Sequence, residues 1–326
     1  MVVEYSNYLH SRGHSVTILT NLVNTIFKIQ AKVESFSHNK SKLRTINKAL
    51  FLKSNSDVII ADIIAMVLFL SFRNKKRLLC FAQDYDESYY KNPLMKFLIR
   101  LMYYYCLTIR RIPVIAVSEK LGALLKQRFS ADVTIINNGI DTDLFYPDKD
   151  KEYLSLKGNR KVILIFARSD FRKGFDLAIK VLKNFKQGMD NGDISVWAVG
   201  ENIPVPFQIN NFGFVSPESL RKILSCSDIF LYPSRHEGLP LFILEAMACG
   251  CPIVTTEASN IVEDGFDGLV CPIEDPECLT EKIRQIFRDK DIGDILAKNA
   301  HEKVAGFSIH TANLLLENRL KQFIHG

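Results

Sequence analysis

The chain has 326 residues, 47% of them hydrophobic and 24% charged, with a formal net charge of +6. That length suits two domains, the composition is that of a water-soluble globular chain, and no dense Lys/Arg block marks a nucleic-acid binder. The mild positive balance suits anionic substrates or an acidic membrane surface. Seven cysteines, an odd number without repeated spacing, argue against a disulfide framework and for a reducing compartment. Cys249 and Cys251 read as small buried residues rather than metal ligands. The longest apolar run, residues 58–72, is broken by Asp62 and is shorter than the roughly 20 residues of a membrane span. With no secretory leader, a cytoplasmic chain is expected, with the inner face of a membrane as its membrane contact.

Residues 1–12 have helical periodicity through Val3, Tyr5, Tyr8 and Leu9, and Gly13 suits the position after a helix end. Residues 15–20 (SVTILT) predict a strand. In a doubly wound sheet a central strand usually comes first, and its neighbours would otherwise carry unpaired backbone groups. Either the natural start lies upstream and this is a truncated gene product, or the N-terminal half is loosened. Residues 21–56 are polar and basic and predict a loop and one helix at 43–52. A strand at 57–61, a helix at 62–72 and a strand at 77–82 follow, the last ending in Gln83, Asp84, Tyr85 and Asp86. Pro93 opens a helix running to residue 109. A strand at 113–117, a helix capped by Ser118 and a strand at 133–136 precede Asn138, Gly139, Ile140 and Asp141. This alternation predicts a parallel sheet.

Residues 148–160 are charged and weakly patterned, the best linker in the chain. The pattern then restarts: a strand at 161–167, a helix at 174–187, a strand at 194–200, a short strand at 212–215 and a helix begun by Ser216 and Pro217. Helices at 276–288, 292–304 and 308–324 close the chain.

Residues 228–256 (DIFLYPSRHEGLPLFILEAMACGCPIVTT) hold a strand, a tight loop, a helix opened by Pro240 and stopped by Gly250, and another strand. The βα loop of such a unit is where these folds bind ligands. Glu237 on that loop and Glu245 on the second helical turn can line one crevice, and the helix N-terminus beside them favours phosphate. A diphosphate joined to polyols, as in a nucleotide-sugar, satisfies all of these features. Arg168 and Lys173, in ARSDFRKG, precede Gly174 and a helix start. Two cations there form a clamp for a diphosphate and stabilise the charge that grows on it as it leaves. The plainer alternative is a solvated basic loop.

The segment HEGLPLFILEAMACGCPIV resembles the signature of family 4 retaining glycosyltransferases of the GT-B fold. ARSDFRKG is similar to that family's GRxxxxKG, with Ala167 replacing the usual Gly, and NNFGFVS at 210–216 resembles its base-contacting loop. The resemblance implies an α/β fold of two Rossmann-like domains with an interdomain cleft, here without the first strand of the N-terminal one. Residues 1–148 would form the acceptor-side domain, 149–306 the nucleotide-sugar domain, and 307–326 a helix crossing back. The implied reaction moves a sugar from a nucleotide-sugar to an acceptor hydroxyl with retention. Glu245 would hold the ribose and Glu237 would lie near the sugar. Arg168 and Lys173 would neutralise the diphosphate, with Gly238, Leu239, Gly213 and Phe214 lining the donor.

Gln83 stands about where many members carry a sugar-contacting His, and Asp84 or Asp86 would bond sugar or acceptor hydroxyls. No metal and no cofactor are implied, since the nucleotide-sugar is a substrate. The expected acceptor is a saccharide or lipid-linked saccharide of cell-surface polysaccharide or glycolipid assembly, with no nucleic-acid partner. The helix from Pro93 mixes aromatics with basic residues, which suits a peripheral membrane contact or core packing. A 2-epimerase of the same fold and an inactive nucleotide-sugar-binding protein are rival readings. A glycosidase carboxylate pair fits less well, because a cationic clamp calls for a phosphate leaving group.

Overall fold

The computed structural model describes residues 1–20, 28–35 and 42–325. It divides into two compact units, residues 1–138 with 310–326, and residues 139–309. The first unit opens with helix α1 (Val2–Ser11), then strands β1 (Thr17–Thr20) and β2 (Lys32–Ser35), which pair parallel in a sheet of their own. Helix α2 (Lys42–Phe51) leads to β3 (Ile59–Ala61), α3 (Ile64–Asn74) and β4 (Leu78–Ala82). Helix α4 (Pro93–Tyr103), capped by the Asn92 carboxamide oxygen on the Leu94 N–H at 2.8 Å, runs on as a π-helical turn, Tyr104–Ile109. Then come β5 (Val114–Ala116), α5 (Glu119–Phe129) and β6 (Val133–Ile135). Strands β3 to β6 form a parallel four-stranded sheet in chain order. The α1 face packs on it, with the Tyr5 ring edge-on to Phe81 at 5.7 Å.

The second unit runs α6 (Lys151–Lys157), β7 (Lys161–Ala167), α7 (Phe175–Lys183), α8 (Lys186–Asp190), β8 (Ile194–Gly200), β9 (Asn210–Asn211) and α9 (Pro217–Cys226). It continues through β10 (Ile229–Tyr232), α10 (Leu241–Ala248), β11 (Ile253–Thr256), β12 (Leu269–Cys271), α11 (Pro276–Arg288) and α12 (Lys290–Val304). Its sheet has the order β12-β11-β10-β7-β8-β9, with every neighbouring pair parallel. The strands are apolar on both faces because helices cover both faces. Leu177 and Val181 of α7 and Leu279 and Ile283 of α11 pack in one core with Ile163 and Ile165 of β7 and Leu231 of β10. The chain starts mid-sheet at β7, builds outward to β9, then returns to place β10 on the other side of β7. The order therefore reverses between β7 and β10, and ligands of doubly wound folds bind at the carboxyl ends of strands at such a reversal.

The last helix, α13 (Ile309–His325), lies in the first unit. Its Glu317 carboxylate accepts from the Tyr8 hydroxyl at 3.0 Å and meets His14 Nε2 at 3.1 Å and Lys321 Nζ at 2.7 Å. The second unit begins and ends at one place. Ile140 exchanges backbone bonds with Phe307 and Ile309, and a Cβ on Gly139 would lie 2.4 Å from the Ile309 Cα. The Asn-Gly-Ile-Asp turn has that structural use.

Several expectations are corrected. Residues 148–160 are not a linker: Asp150 caps α6 through the Glu152 N–H at 2.9 Å, and Asp148 meets Arg221 at 3.0 Å. The unit boundary therefore falls at 138/139 rather than 148/149. The helix expected at 174–187 is two, α7 and α8, with the Asn184 side chain between them bonded to Thr280 at 3.0 Å. The strand expected at 212–215 is β9 at 210–211, ended by Gly213 at φ +68. Strands β2 and β12 were not anticipated, being short and weakly alternating. Part of the tract 21–56 lies outside the described residues. Cys271 and Cys278 form a disulfide with Cα atoms 5.9 Å apart, contrary to the cysteine count. The turn between β12 and α11 brings them together although their spacing follows no pattern. Among the described residues no helix is long and apolar enough to cross a membrane.

Candidate functional site

Two loops leave the sheet where its order reverses. Residues 168–174 follow β7 and residues 233–240 follow β10, strands paired through Ile163 and Ile229, Leu164 and Phe230, and Ile165 and Leu231. The loops are locked together. The Arg235 N–H donates to the Arg172 carbonyl at 2.7 Å, and Ser234 Oγ lies 3.0 Å from the same oxygen. Gly174 sits at φ +67, where a Cβ would be 1.8 Å from the Pro233 carbonyl oxygen. Only glycine permits both that conformation and that approach.

The Arg235 guanidinium completes the lock. It donates to both Asp176 carboxylate oxygens at 2.6 and 2.8 Å, to the Phe171 carbonyl at 2.8 Å and to Glu274, and it stacks over the Phe171 ring at 3.9 Å. The bonds from Asp176 and Glu274 raise its pKa, and the same bonds lower those of the two carboxyl groups. Gly174→Ala would have to break this seam. The expected cost is on the order of 3 kcal/mol, seen as a melting temperature lower by several degrees in a thermal scan. An unchanged melting temperature would show that the approach of the two loops is not obligatory.

Within the seam Glu237 is held by three side chains. Lys173 Nζ is 2.9 Å from each carboxylate oxygen, and Oε1 also accepts from the Tyr232 hydroxyl at 2.7 Å and from Ser234 Oγ at 2.6 Å. The Glu237 side chain is only 6% exposed. Burial, reinforced by the Glu237 charge, pushes the Tyr232 phenol well above its ordinary pKa, so it remains a donor. An ammonium carries three N–H bonds, so Lys173 keeps donor capacity for a further anion beside Glu237.

Arg168 lies along the same strand ends. Its Nε is 3.4 Å from Glu201 Oε1, and its guanidinium is 5.9 Å from the Phe166 and Phe214 rings. The Ser169 side chain and the Ser169 N–H, the latter at 3.0 Å, both hydrogen-bond Glu201 and lower its pKa. The Gly213 N–H donates to Asn211 Oδ1 at 2.9 Å, and its carbonyl accepts from the Gly200 N–H at 2.8 Å. Phe214 is thereby presented to solvent, 66% exposed. The Phe166 ring, 6.3 Å from Tyr232 and 4.0 Å from Phe242, joins this edge to the Glu237 side of the site.

Glu245 lies on α10, one residue into its second turn, after buried Gly238, Leu239 and Pro240. Pro240 is the N-cap, one position earlier than expected. Glu245 Oε2 is shielded from solvent with no hydrogen-bond partner in the protein, and burial raises the group's pKa to about 7. Its charge also acts on Tyr232. A shielded acceptor without a donor is costly.

The structure thus gathers Arg168, Lys173, Gly213, Phe214, Glu237, Gly238, Leu239 and Glu245 around the carboxyl ends of β7, β8 and β10 in the second unit. Gln83 and Asp84 lie in the first unit, at the end of β4. Gln83 Nε2 donates to Asp62 Oδ2 at 3.2 Å, and Asp84 Oδ1 accepts the Tyr85 N–H at 2.8 Å. Asp86 is structural: it is buried and accepts from the Ile64 N–H at 2.8 Å and the Tyr103 hydroxyl at 3.1 Å. Sequence reasoning passed over Tyr232, Ser234, Arg235, Asp176 and Glu274. Tyr232 reads as a strand residue and Asp176 as an ordinary first-turn acid, so no local pattern marks them. Among the described residues no group of three His, Cys, Asp or Glu is placed to hold a metal ion.

Comparison with known proteins gives the family and the fold. Residues 1–144 match the family model for Glycosyltransferase Family 4, and residues 160–289 match that for Glycosyl transferases group 1. The chain belongs to the group 1 glycosyltransferases. The chain is 27% identical over 206 residues to an uncharacterized glycosyltransferase of Methanocaldococcus jannaschii, covering 60% of this chain and 55% of that one. It is 26% identical over 172 residues to the lipopolysaccharide core biosynthesis glycosyltransferase LpsE of Rhizobium meliloti, covering 48% of each. The matches thus span about half the length of these relatives.

Among solved structures, sucrose-phosphate synthase from Thermosynechococcus elongatus superposes with a TM-score of 0.82 at 18% identity, covering 98% of this chain and 92% of that one. Anabaena HepE in complex with UDP-glucose gives a TM-score of 0.74 at 19% identity, covering 89% and 86%. At that identity the likeness shows the fold, which is GT-B.

Proposed function

We propose that this glycosyltransferase transfers a sugar, with retention at the anomeric carbon, from a nucleoside-diphosphate sugar bound in the second unit to a saccharide or lipid-linked saccharide hydroxyl. The observation that carries the reading is the Lys173–Glu237 pair at the reversal of strand order, fixed by Tyr232 and Ser234. It sets an ammonium and a carboxylate side by side, as a diphosphate attached to a sugar requires. Arg168 lies along the same edge as a second cation, and the Glu245 carboxylate accepts from the ribose hydroxyls. Phe214, Gly213, Gly238 and Leu239 line the nucleotide. HepE, whose fold this chain shares, was solved with UDP-glucose. LpsE, by its name, works in lipopolysaccharide core biosynthesis. The first supports a nucleotide-sugar donor and the second an assignment to polysaccharide or lipopolysaccharide assembly.

The bond from the anomeric carbon to the diphosphate oxygen breaks, and the bond to the acceptor oxygen forms on the same face. The acceptor proton passes to the departing diphosphate oxygen. Lys173 and Arg168 stabilise the charge that builds there, an effect larger in the transition state than in the ground state. Glu237 orients the sugar and keeps Lys173 in place. The chemistry needs no metal on this reading. Titration calorimetry with UDP, GDP and their sugars should show binding of at least one diphosphate, lost in Arg168→Ala, and turnover of the matching donor should be unchanged by EDTA. No binding of any nucleoside diphosphate would refute the reading, and turnover abolished by EDTA would refute its metal-free form.

A further inference from the structure

The Cys271–Cys278 bridge closes a ring of chain around Glu274. Its two ends are built differently. Cys271 ends β12 and lies in the core with Ile163, Leu231 and Leu279, whereas Cys278, in the first turn of α11, is partly exposed. The other five cysteines are free and buried. In a disulfide scaffold the cysteines pair throughout, so one bridge among seven cysteines is not a framework. A thiolate can reach a partly exposed sulfur, and exposed bridges are the labile and regulatory ones.

Inside the ring Glu274 stands at φ +66, a left-handed conformation that side chains rarely adopt. Such a residue is held by its surroundings. The ring supplies one hold and Arg235 the other. The Arg235 guanidinium donates to Glu274 Oε1, and to Oε2 at 3.1 Å. Arg235 is also the residue that ties the β10 loop to the β7 loop, through the Phe171 and Arg172 carbonyls. Phe171 and Arg172 precede Lys173 in the chain, and Arg235 is two residues before Glu237. A line of contacts thus runs from the bridge, through Glu274 and Arg235, to the Lys173–Glu237 pair. Arg235 has a second carboxylate in Asp176, so losing Glu274 loosens the seam without opening it.

We propose that the Cys271–Cys278 bridge is a redox lock on the candidate donor site. A dithiol opens it, Glu274 lets go of Arg235, and the two loops that carry Lys173 and Glu237 gain freedom. In the opening step a thiolate of the dithiol attacks the Cys278 sulfur, the S–S bond breaks, and Cys271 leaves as a thiolate that takes up a proton. The second thiol of the reductant then displaces Cys278, which is protonated in turn. The protein gains two electrons and two protons, and the reductant becomes a disulfide. Reduced Cys271 remains a small apolar side chain in the core. Helix α11 keeps its Asp275 cap on the Cys278 N–H at 2.9 Å, so the fold outlasts the bridge. The consequence for donor binding rests on the proposed function, whereas the lock itself does not.

The test compares the full chain oxidised with glutathione disulfide and reduced with dithiothreitol, by thiol titration in denaturant and by hydrogen exchange read in a mass spectrometer. The oxidised form should show five thiols and the reduced form seven. Peptides spanning residues 168–174 and 233–240 should exchange about fivefold faster after reduction, the scale of one partly exposed ion pair. Peptides of the first unit should not change. Glu274→Ala should give the fast exchange in the oxidised form, with no further gain on reduction. Where UDP or GDP binds, calorimetry should find its affinity lower by a like factor in the reduced chain. Four results would each overturn the proposal: seven titratable thiols in the oxidised form, seam exchange unaffected by reduction, Glu274→Ala still responding to reduction, or equal nucleotide affinity of the two forms. Absence of nucleotide binding in both forms would refute the donor reading alone, and the exchange rates would still decide the lock. Should Glu274→Ala fail to fold, Cys278→Ser replaces it. That variant forms no bridge and should exchange at the reduced rate in either buffer, and exchange at the oxidised rate would overturn the proposal.

Discussion

Lys173→Ala is expected to lower turnover by about a hundredfold to a thousandfold, the usual effect of removing one donor aimed at developing negative charge. Two losses add. The leaving diphosphate loses its ammonium, and Glu237 loses the cation that spans both of its oxygens at 2.9 Å. The buried carboxylate then keeps only Tyr232 and Ser234, and an uncompensated buried charge is expensive. A double-mutant cycle separates the losses. If Lys173 serves chiefly to hold Glu237, then Glu237→Gln and the double variant with Lys173→Ala should lose equal amounts of activity. If it also serves the diphosphate, the double variant should be slower than Glu237→Gln. Single-turnover rates with a saturating donor are the readout, and a Lys173→Ala rate within a few-fold of wild type would remove Lys173 from the chemistry.

Glu245→Gln should act in opposite directions on binding and on stability. In the folded protein burial raises the Glu245 pKa from 4.5 to about 7. Between those values the folded chain binds more protons than the unfolded one, so Glu245 makes stability fall as pH rises through this window. Above it, the ionised carboxylate costs on the order of 3 kcal/mol. Glutamine carries no charge to desolvate. The variant should therefore melt higher than wild type at pH 8, and the gain should vanish below about pH 4.5, where the wild-type carboxyl is neutral in both the folded and the unfolded chain. Nucleotide affinity should fall at least tenfold at pH 8, because a carboxylate accepts two hydroxyls better than an amide does. Wild-type affinity should itself weaken as pH drops below about 7. A variant that melts lower than wild type at pH 8 would mean that Glu245 is a structural acceptor, and its assignment to the ribose would fail.

These two residues show why the site was partly legible. Glu237 and Glu245 are the two carboxylates on the loop and helix of a βαβ unit, and Arg168 and Lys173 are cations at the mouth of a buried strand. Buried strands have little reason to end in such residues unless a ligand uses them. Arg235 gave no such signal. It looks like a surface charge until Asp176 and Glu274 are brought to it from α7 and from the turn before α11. The disulfide was misread for the same reason: Cys271 and Cys278 meet only because β12 and α11 are joined by a turn that sequence spacing does not reveal.

Local chemistry in the chain determined the alternation of strands and helices, the caps at Ser118 and Ser216, and which loops carry charge. These depend on neighbours within a turn or two, and such terms are written residue by residue. The tertiary structure alone decided that the β7 and β10 loops face each other, that Gly174 lets them touch, and that Tyr232 and Ser234 grip Glu237. It also decided that one side of α4 stays unpacked. Strand order, and so the place where it reverses, is settled by which apolar faces can be buried together, a balance struck over the whole sheet.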